Sequence, residues 1–434
     1  MANKPNIQEF VPREDEVKAP YTSRDFDRDV DPRRDDFDEG LQLPDINTTP
    51  MYINIGPTHP ATHGTFRVYA RLEGETVEKA GVDVGYLHRG FEKIVEIKQY
   101  NQVIPYTDRL NYCSGLTNNV AFCKAVERMM GLEITPRTVA IRVIIMEIQR
   151  IMDHMICCGT TIVDIGALTN FWYFYNARDK LNDVLEALTG ARLTYTYTRV
   201  GGLAWDLPPG WRESVKAAIK EVPAAIADVR GLVEKNRIFQ DRTRGVGVIS
   251  GADAINFGWT GPCLRASGVD LDLRKVRPYY GYDQLEFDVP IGANGDAYDR
   301  LLVRIAEMEE SLKIIHQMID RVPDGPINVD DKRVTLPDKH DVHRSMEALI
   351  NHFKLVIGGV QPPPGRIYDA TETPNGELGF YIISDGSGHP YRIKVRPPCF
   401  YLMNTLKFLV EGGMVADIVA ILGGLNVIAG ELDR

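Results

Sequence analysis

Two imidazoles four residues apart, His59 and His63, sit in Gly56-Pro57-Thr58-His59-Pro60-Ala61-Thr62-His63-Gly64. Two prolines and two glycines forbid a helix there, so both rings stand on an irregular segment. An imidazole fixed on such a segment can carry protons near neutral pH; the plainer alternative is that each ring bonds backbone. A phenol follows in Asp108-Arg109-Leu110-Asn111-Tyr112, beside a charge pair, as a proton donor or as packing. Asp164 lies between Val163 and Ile165 in an apolar run. A buried carboxylate there needs a cationic or donor partner, and a histidine paired with it would have its tautomer fixed. Glu147, Arg150 and His154 share a helix face. Their neighbours on that arc, Ala140 and Val143, are apolar, which favours an internal charged stripe over a solvated one. All of this is acid–base equipment.

Metal and nucleotide signals are missing. The cysteines at 113, 123, 157, 158, 263 and 399 form no Cys-x-x-Cys pair, so neither an iron–sulfur nor a zinc spacing exists, and free thiols and no metal site are expected. Ser384–Gly388 is a hairpin turn without the Lys-Ser/Thr of a phosphate loop, and no Gly-x-Gly-x-x-Gly follows a strand.

The elements that must hold these groups are mostly helical. Phe66, Val68, Ala70 and Leu72 alternate before Gly74, and Val82 and Val84 after it, predicting a hairpin. Ile141, Ile144, Ile145, Ile148, Ile151, Met152 and Met155 fall on one arc of a helix over 139–156. Helices are also expected over 165–189, 212–236, 298–320 and 341–357. The fourth carries a packing seam of Leu301, Ile305, Met308, Leu312, Ile315 and Ile319. From Gln361 a proline-rich loop leads to strands over 378–384 and 391–395; helices over 400–411 and 414–421 precede the tail. The fold class is α+β, a long-helix bundle with small edge sheets. It is read as an acidic extended arm over 1–50 and one domain over 51–434, subdivided into a β-hairpin region (51–85), a helical core (86–360), a β insertion (361–398) and C-terminal helices with a tail (399–434).

Charge and hydropathy exclude other classes. There are 60 Asp+Glu against 50 Lys+Arg, a net charge of −10, so nucleic acid is not an expected partner. The first fifty residues hold 13 acidic and 7 basic side chains and few large aliphatics, hence the extended arm; they are not a signal peptide. Ile418–Gly430 is apolar for only 13 residues, short of the roughly 20 that cross a bilayer. The chain reads as soluble or peripheral, in a reducing compartment.

From about Tyr52 to Arg434 the chain resembles the D-subunit family of respiratory complex I, the proton-pumping NADH:quinone oxidoreductase. The resemblance rests on Gly56–Gly64, Tyr86-Leu87-His88-Arg89-Gly90-Phe91-Glu92-Lys93, Pro105–Tyr112, Met346-Glu347-Ala348-Leu349-Ile350-Asn351-His352-Phe353-Lys354, Ser384–Ser387, Ala416–Gly423 and Gly430-Glu431-Leu432-Asp433-Arg434. It implies a fold like the large subunit of [NiFe] hydrogenases without its metal, since Arg109–Cys113 and Gly430–Arg434 stand where those enzymes carry Cys-x-x-Cys pairs.

By the same resemblance His63 and Tyr112 are the quinone-binding histidine and tyrosine, and Asp164 is the aspartate paired with His63. Arg89 matches an arginine near the last iron–sulfur cluster of the complex, which the neighbouring B subunit holds. Glu147, Arg150 and His154 match a charged helix, a candidate proton relay. No cofactor is expected in this chain alone: quinone is substrate and the cluster belongs to the B subunit. The iron–sulfur B subunit, the C and I subunits and the membrane H subunit are the implied partners, at the cytoplasmic face of the bacterial inner membrane. Two departures stand out. Asn111 replaces the family's aspartate, and Arg192-Leu193-Thr194 replaces Arg-Met-His, so Thr194 stands where a histidine lies beside the cluster. No fused C-subunit domain is expected. Feeding by ferredoxin or another donor, and a purely scaffolding role for the B subunit, are the alternatives.

Overall fold

Apolar alternation on both sides of Gly74 builds the first sheet. The structure, a computed structural model, describes residues 50–434; the arm expected over 1–50 lies outside the described residues except for Pro50. β1 (Met51–Ile55), β2 (Arg67–Glu73) and β3 (Thr76–Asp83) pair antiparallel in that order. Phe66, Val68, Ala70 and Leu72 are buried as their alternation requires. The expected hairpin therefore gains a third strand. β1 is short and largely exposed, so its sequence carries no burial pattern.

After the short helices Phe91–Ile94 and Tyr100–Thr107 comes α1 (Gly115–Met130), which the sequence reading lacks. Most of its residues are buried on every side, and a helix without a wet face shows no 3.6-residue period. α2 (Pro136–Asp164) opens with Pro136 in its first turn and the Thr135 side chain accepting from Thr138 N, both helix-start signals. It runs eight residues past the predicted end, because Cys158 and Ile162 keep the buried face going. α3 (Leu168–Thr189) returns along it. The helix expected over 212–236 is two, Trp211–Ile219 and Val222–Val233, broken where Pro223 removes a donor. α4 (Ala297–Ile319) lays its predicted seam on α2, and all six seam residues are buried.

β4 (Thr198–Arg199) and β5 (Gly202–Leu203) make a small ladder. After α5 (Met346–Gly358) comes a sheet of β6 (Gly365–Thr373), β7 (Gly376–Ser384) and β8 (Arg392–Arg396). β6 corrects the expectation of a loop: the prolines before Gly365 hide a strand that starts at once. α6 (Val415–Leu425) and a last turn, Ala429–Asp433, close the chain. That turn is buried, so the expected tail is part of the core. The described residues form one compact unit. One core joins α2, α3 and α4; another joins the first sheet to the C-terminal helices; a third lies between α1 and the β6–β8 sheet. Among the described residues no helix is long and apolar enough to cross a membrane.

Candidate functional site

The loop from Gly56 to Gly64 is seated by its end glycines. A Cβ on Gly56 would lie 2.1 Å from the Phe66 carbonyl oxygen, and one on Gly64 would lie 2.8 Å from the Ala429 Cβ. Between them Pro60–Thr62 forms a single 3₁₀ turn. His59 caps it, its Nδ1 accepting from Ala61 N at 3.2 Å. The plain reading therefore fits His59, an exposed ring that bonds backbone. His63 closes the turn with φ +52° and donates its N–H to Pro60 O at 3.2 Å.

The His63 ring faces the end of α2, where Nε2 is 2.6 Å from Asp164 Oδ2. The Tyr112 hydroxyl donates to the His63 carbonyl across a long 3.5 Å. The imidazole, the carboxylate and the phenol thus come together from the β1–β2 loop, the C-terminus of α2 and the turn before α1. Burial pushes the Tyr112 phenol well up, and Cys113, Cys399 and Asp153 push the same way. Its proton is strongly held until a stronger base develops nearby.

Asn111 fixes that turn. Its Nδ2 donates to Asp153 Oδ2 at 2.9 Å, its Oδ1 accepts from Cys113 N at 3.0 Å, and its carbonyl accepts from Asn118 Nδ2 at 2.9 Å. Asp108, three residues earlier, accepts from Thr196 N at 3.1 Å and Thr196 Oγ1 at 2.5 Å. Burial pushes its carboxyl up to about 6 against the pull of those bonds. Through Thr196 it ties down the loop holding Thr194, which has φ +58° and a hydroxyl donating to Leu193 O at 2.6 Å.

Arg89 bonds the other side of the same region: Nη2 donates to Arg109 O at 2.8 Å and Gly430 O at 3.0 Å. Burial, then the neighbouring Arg109 charge, lowers its pKa. Arg89 and Arg109 line a pocket of about 330 Å³ with Phe91, Ile94, Pro105 and Tyr106.

Glu147, Arg150 and His154 are fully buried, so the stripe is internal. Along the helix it divides into two halves. Glu147 takes Arg150 and Arg274, each at 3.2 Å, with the Tyr282 hydroxyl at 2.6 Å and Ser311 at 2.7 Å. His154 instead meets Glu307 at 2.9 Å. The halves join through other elements: Arg274 to Asp272 (2.7 Å), Asp272 to Arg265 (3.6 Å), and Arg265 to Glu307 (2.6 Å) and Glu372 (2.9 Å). Burial pushes Glu147 up but Arg150 and Arg274 hold it low, whereas burial and Asp272 raise Glu372. Burial also lowers His154, against Glu307. Sequence reasoning missed Arg265, Asp272, Glu307 and Glu372. The available signal was charge inside apolar runs, such as Glu307 beside seam residue Met308.

A sequence profile described as the respiratory-chain NADH dehydrogenase 49 Kd subunit matches residues 164–434. The chain is similar to the NADH-quinone oxidoreductase C/D subunit of Bdellovibrio bacteriovorus, 51% identical over 421 residues, spanning 93% of this chain and 75% of that one. It is similar to the NADH-quinone oxidoreductase D subunit of Pelobacter propionicus, 50% identical over 384 residues (88% and 95%). The D subunit of Myxococcus xanthus is 48% identical over 389 residues (90% and 94%).

Proposed function

The chain belongs to the D-subunit family of NADH-quinone oxidoreductases, and on that premise we propose that it builds the site where quinone is protonated as it is reduced. It is a subunit of an oxidoreductase complex, active only within that assembly in this reading. Reducing a quinone to a quinol takes two electrons and two protons, and negative charge develops on both carbonyl oxygens. Donors aimed at those oxygens stabilise that charge. The carrying observation is the 2.6 Å contact of His63 with Asp164 beside the Tyr112 hydroxyl. Tyr112 gives a proton to one oxygen and the His63 imidazole to the other, while Asp164 orients the ring.

Electrons come from the iron–sulfur cluster of the B subunit. Arg89, whose positive charge raises that cluster's potential, and Thr194 lie on the side facing it. The fold is that of a hydrogenase large subunit whose metal site is lost. Two features support this: Gly430 sits so near the Arg109 and Leu110 carbonyls that a Cβ there would be 2.4 Å and 2.8 Å from them, and Arg89 N donates to Arg434 O at 3.2 Å. Both former cysteine-pair regions therefore meet beside Tyr112.

The assembly is membrane-associated and proton-pumping, with this chain peripheral on the cytoplasmic side against the B, C, I and H subunits. Leu168 and Trp172, each 57% exposed just after Asp164, offer an apolar approach for the quinone tail. The C/D relative supports an association with the C subunit. The buried network around Glu147, Arg150 and His154 has three guanidinium groups for four carboxylates, so it is suited to hold an extra proton and to pass charge changes inward from the site.

Tyr112→Phe in the intact complex tests the reading. A lost donor to a developing oxyanion costs about 2.7–4 kcal/mol, so quinone reduction falls tenfold or more while NADH still reduces artificial acceptors. Full quinone activity in an assembled variant would leave a scaffold for the B subunit. A ferredoxin partner copurifying in place of an NADH-binding flavoprotein would change the donor and leave the site.

A further inference from the structure

The Tyr112 hydroxyl has no firm hydrogen bond of its own. Its one partner among the described residues is the His63 carbonyl, across 3.5 Å. A donor that must meet a developing oxyanion has to be aimed to within a fraction of an ångström, so the aim comes from the backbone that carries the ring. Asn111 and Cys113 flank Tyr112, and the Asn111 side chain ties them together, its Oδ1 accepting from Cys113 N at 3.0 Å. The Asn111 carbonyl accepts from Asn118 Nδ2 at 2.9 Å and from Ser114 N at 3.2 Å. The turn is thus wound around a buried asparagine.

What holds Asn111 is a carboxylate from another element. Asp153, in α2 and 1% exposed, accepts from Asn111 Nδ2 at 2.9 Å and from Asn426 Nδ2 at 3.1 Å, one at each oxygen. Both oxygens accept, as those of an ionised carboxyl do. Asn426 follows α6 with φ +53°. Its amide cannot turn over, because the same Nδ2 also donates to Asn375 Oδ1 at 2.6 Å. The Asn111 amide cannot turn over either, because Cys113 N needs its oxygen. Two fixed donors therefore face position 153, and only a side chain with two acceptors satisfies both. An amide there would leave a buried N–H facing another donor. The same geometry accounts for Asn111. An aspartate at that position would set a second carboxylate at the 2.9 Å now spanned by a hydrogen bond, and two carboxylates so close cannot both ionise.

We propose that Asp153 is the positioning residue of Tyr112: through the Asn111 amide it fixes the turn that aims the phenol, and through Asn426 it anchors that turn to the C-terminal segment. This rests on Tyr112 being the proton donor to quinone. No proton passes through Asp153, whose two oxygens are taken up by the amides. Its charge is a separate influence: burial first, then Cys113, Cys399 and Asp153, raise the Tyr112 phenol. Aim and charge are separable by substitution at Asn111, which disturbs the first and leaves the second.

The test is steady quinone reduction in the intact complex, normalised to NADH oxidation by artificial acceptors. Asp153→Asn lowers it at least about tenfold, the scale of a misplaced catalytic group. Asn111→Ala lowers it likewise with the Asp153 charge still in place, and carries the comparison if Asp153→Asn does not assemble. Combining Asn111→Asp with Asp153→Asn brings the rate back to within about threefold of the parent. The carboxylate then stands at 111 and accepts from Cys113 N and from the new amide, whose oxygen accepts from Asn426. In a Tyr112→Phe background Asp153→Asn lowers the rate no further, since no hydroxyl is left to aim. A further loss in that background marks a merely structural residue and overturns the proposal. So does an exchanged pair no better in assembly or rate than Asp153→Asn. A full rate in Asn111→Ala also overturns it, by assigning any effect of Asp153 to its charge alone. If Tyr112→Phe loses activity and Asp153→Asn does not, the positioning role fails and the donor role stands. If Tyr112→Phe keeps full activity, the donor role itself fails.

Discussion

His63 Nε2 stands 2.6 Å from Asp164 Oδ2, joining the loop after β1 to the last residue of α2. A carboxylate at a helix C-terminus faces the negative end of the helix dipole, so Asp164 is retained there against its helix and needs a donor opposite. The loop supplies one because Gly64 lets it close onto Ala429. The contact is therefore a property of three segments, and neither residue can be moved without the other losing its partner.

His63→Gln and Asp164→Asn are expected each to slow quinone reduction, and the double variant to lose much less than the two losses combined. Residues in contact typically couple by about 0.5–3 kcal/mol. Quinone turnover of the three variants, normalised to the NADH-to-artificial-acceptor rate, measures the coupling. Strictly additive losses would mean that Asp164 does not act through His63.

Tyr112 and Asp164 stood out as candidates because each breaks its surroundings, a phenol beside charges and a carboxylate in an apolar run, while the proline-bound loop offered His59 and His63 alike and only the resemblance preferred His63. The arc of Ile141 to Met155 and the seam of Leu301 to Ile319 were legible because burial on one side writes a period. α1 was not, since burial on all sides erases that period. The partners of Glu147 and His154 were not either. Helical spacing says which residues share a face but nothing about which distant element meets it, so Arg274, Glu307 and Arg265 appear only once α4 and the segment before it are packed.

The buried network gives a stability prediction. Removing one partner of a buried ion pair typically costs about 3–5 kcal/mol, because the other charge is left uncompensated. Glu307→Gln takes a carboxylate from both Arg265 and His154, and should lower the unfolding temperature and the yield of assembled complex. Burial works to raise the Glu307 carboxyl, but Arg265 and His154 hold it down to about 2, against an ordinary 4.5. Its contribution is thus fully present above about 4.5 and is lost as pH falls toward about 2. Acid unfolding followed by circular dichroism should show that loss in the parent and less of it in the variant. Equal stability at neutral pH would show that the network is not under this constraint.

Asp108 should behave in the opposite sense. Its carboxyl sits at about 6 instead of 3.8, first because it is buried. The folded chain therefore binds the proton more tightly than the unfolded one, and stability declines as pH rises from about 3.8 through about 6. Asp108→Asn keeps an oxygen for Thr196 and removes the charge. It should match or exceed the parent above that window and lack the decline within it. Thermal unfolding across mildly acidic pH decides the point; a parent that gains stability there, or a variant with the same slope, contradicts it.

Thr194 faces the iron–sulfur cluster of the B subunit in the proposed assembly, and that placement carries the last prediction. Reducing a cluster adds negative charge, and a nearby imidazole answers by taking a proton, each pKa unit of coupling being worth 1.36 kcal/mol. Threonine has no such proton to take. Thr194 is also held in the left-handed region at φ +58°, with Thr196 at +44°, a conformation uncommon for β-branched residues and easier for histidine. His88, the nearest imidazole in the matching motif, has its Nδ1 2.7 Å from the Asp433 carbonyl oxygen. The cluster's potential should therefore vary weakly with pH and lie low, which suits a low-potential acceptor and favours menaquinone over ubiquinone. Redox titration of the cluster signal in the intact complex at several pH values measures the slope. Thr194→His should fit the backbone and introduce a slope. A parental slope near one proton per electron would refute the claim, and repeating the titration with Asp108→Asn would show whether the carboxyl bonded to Thr196 supplies that proton instead.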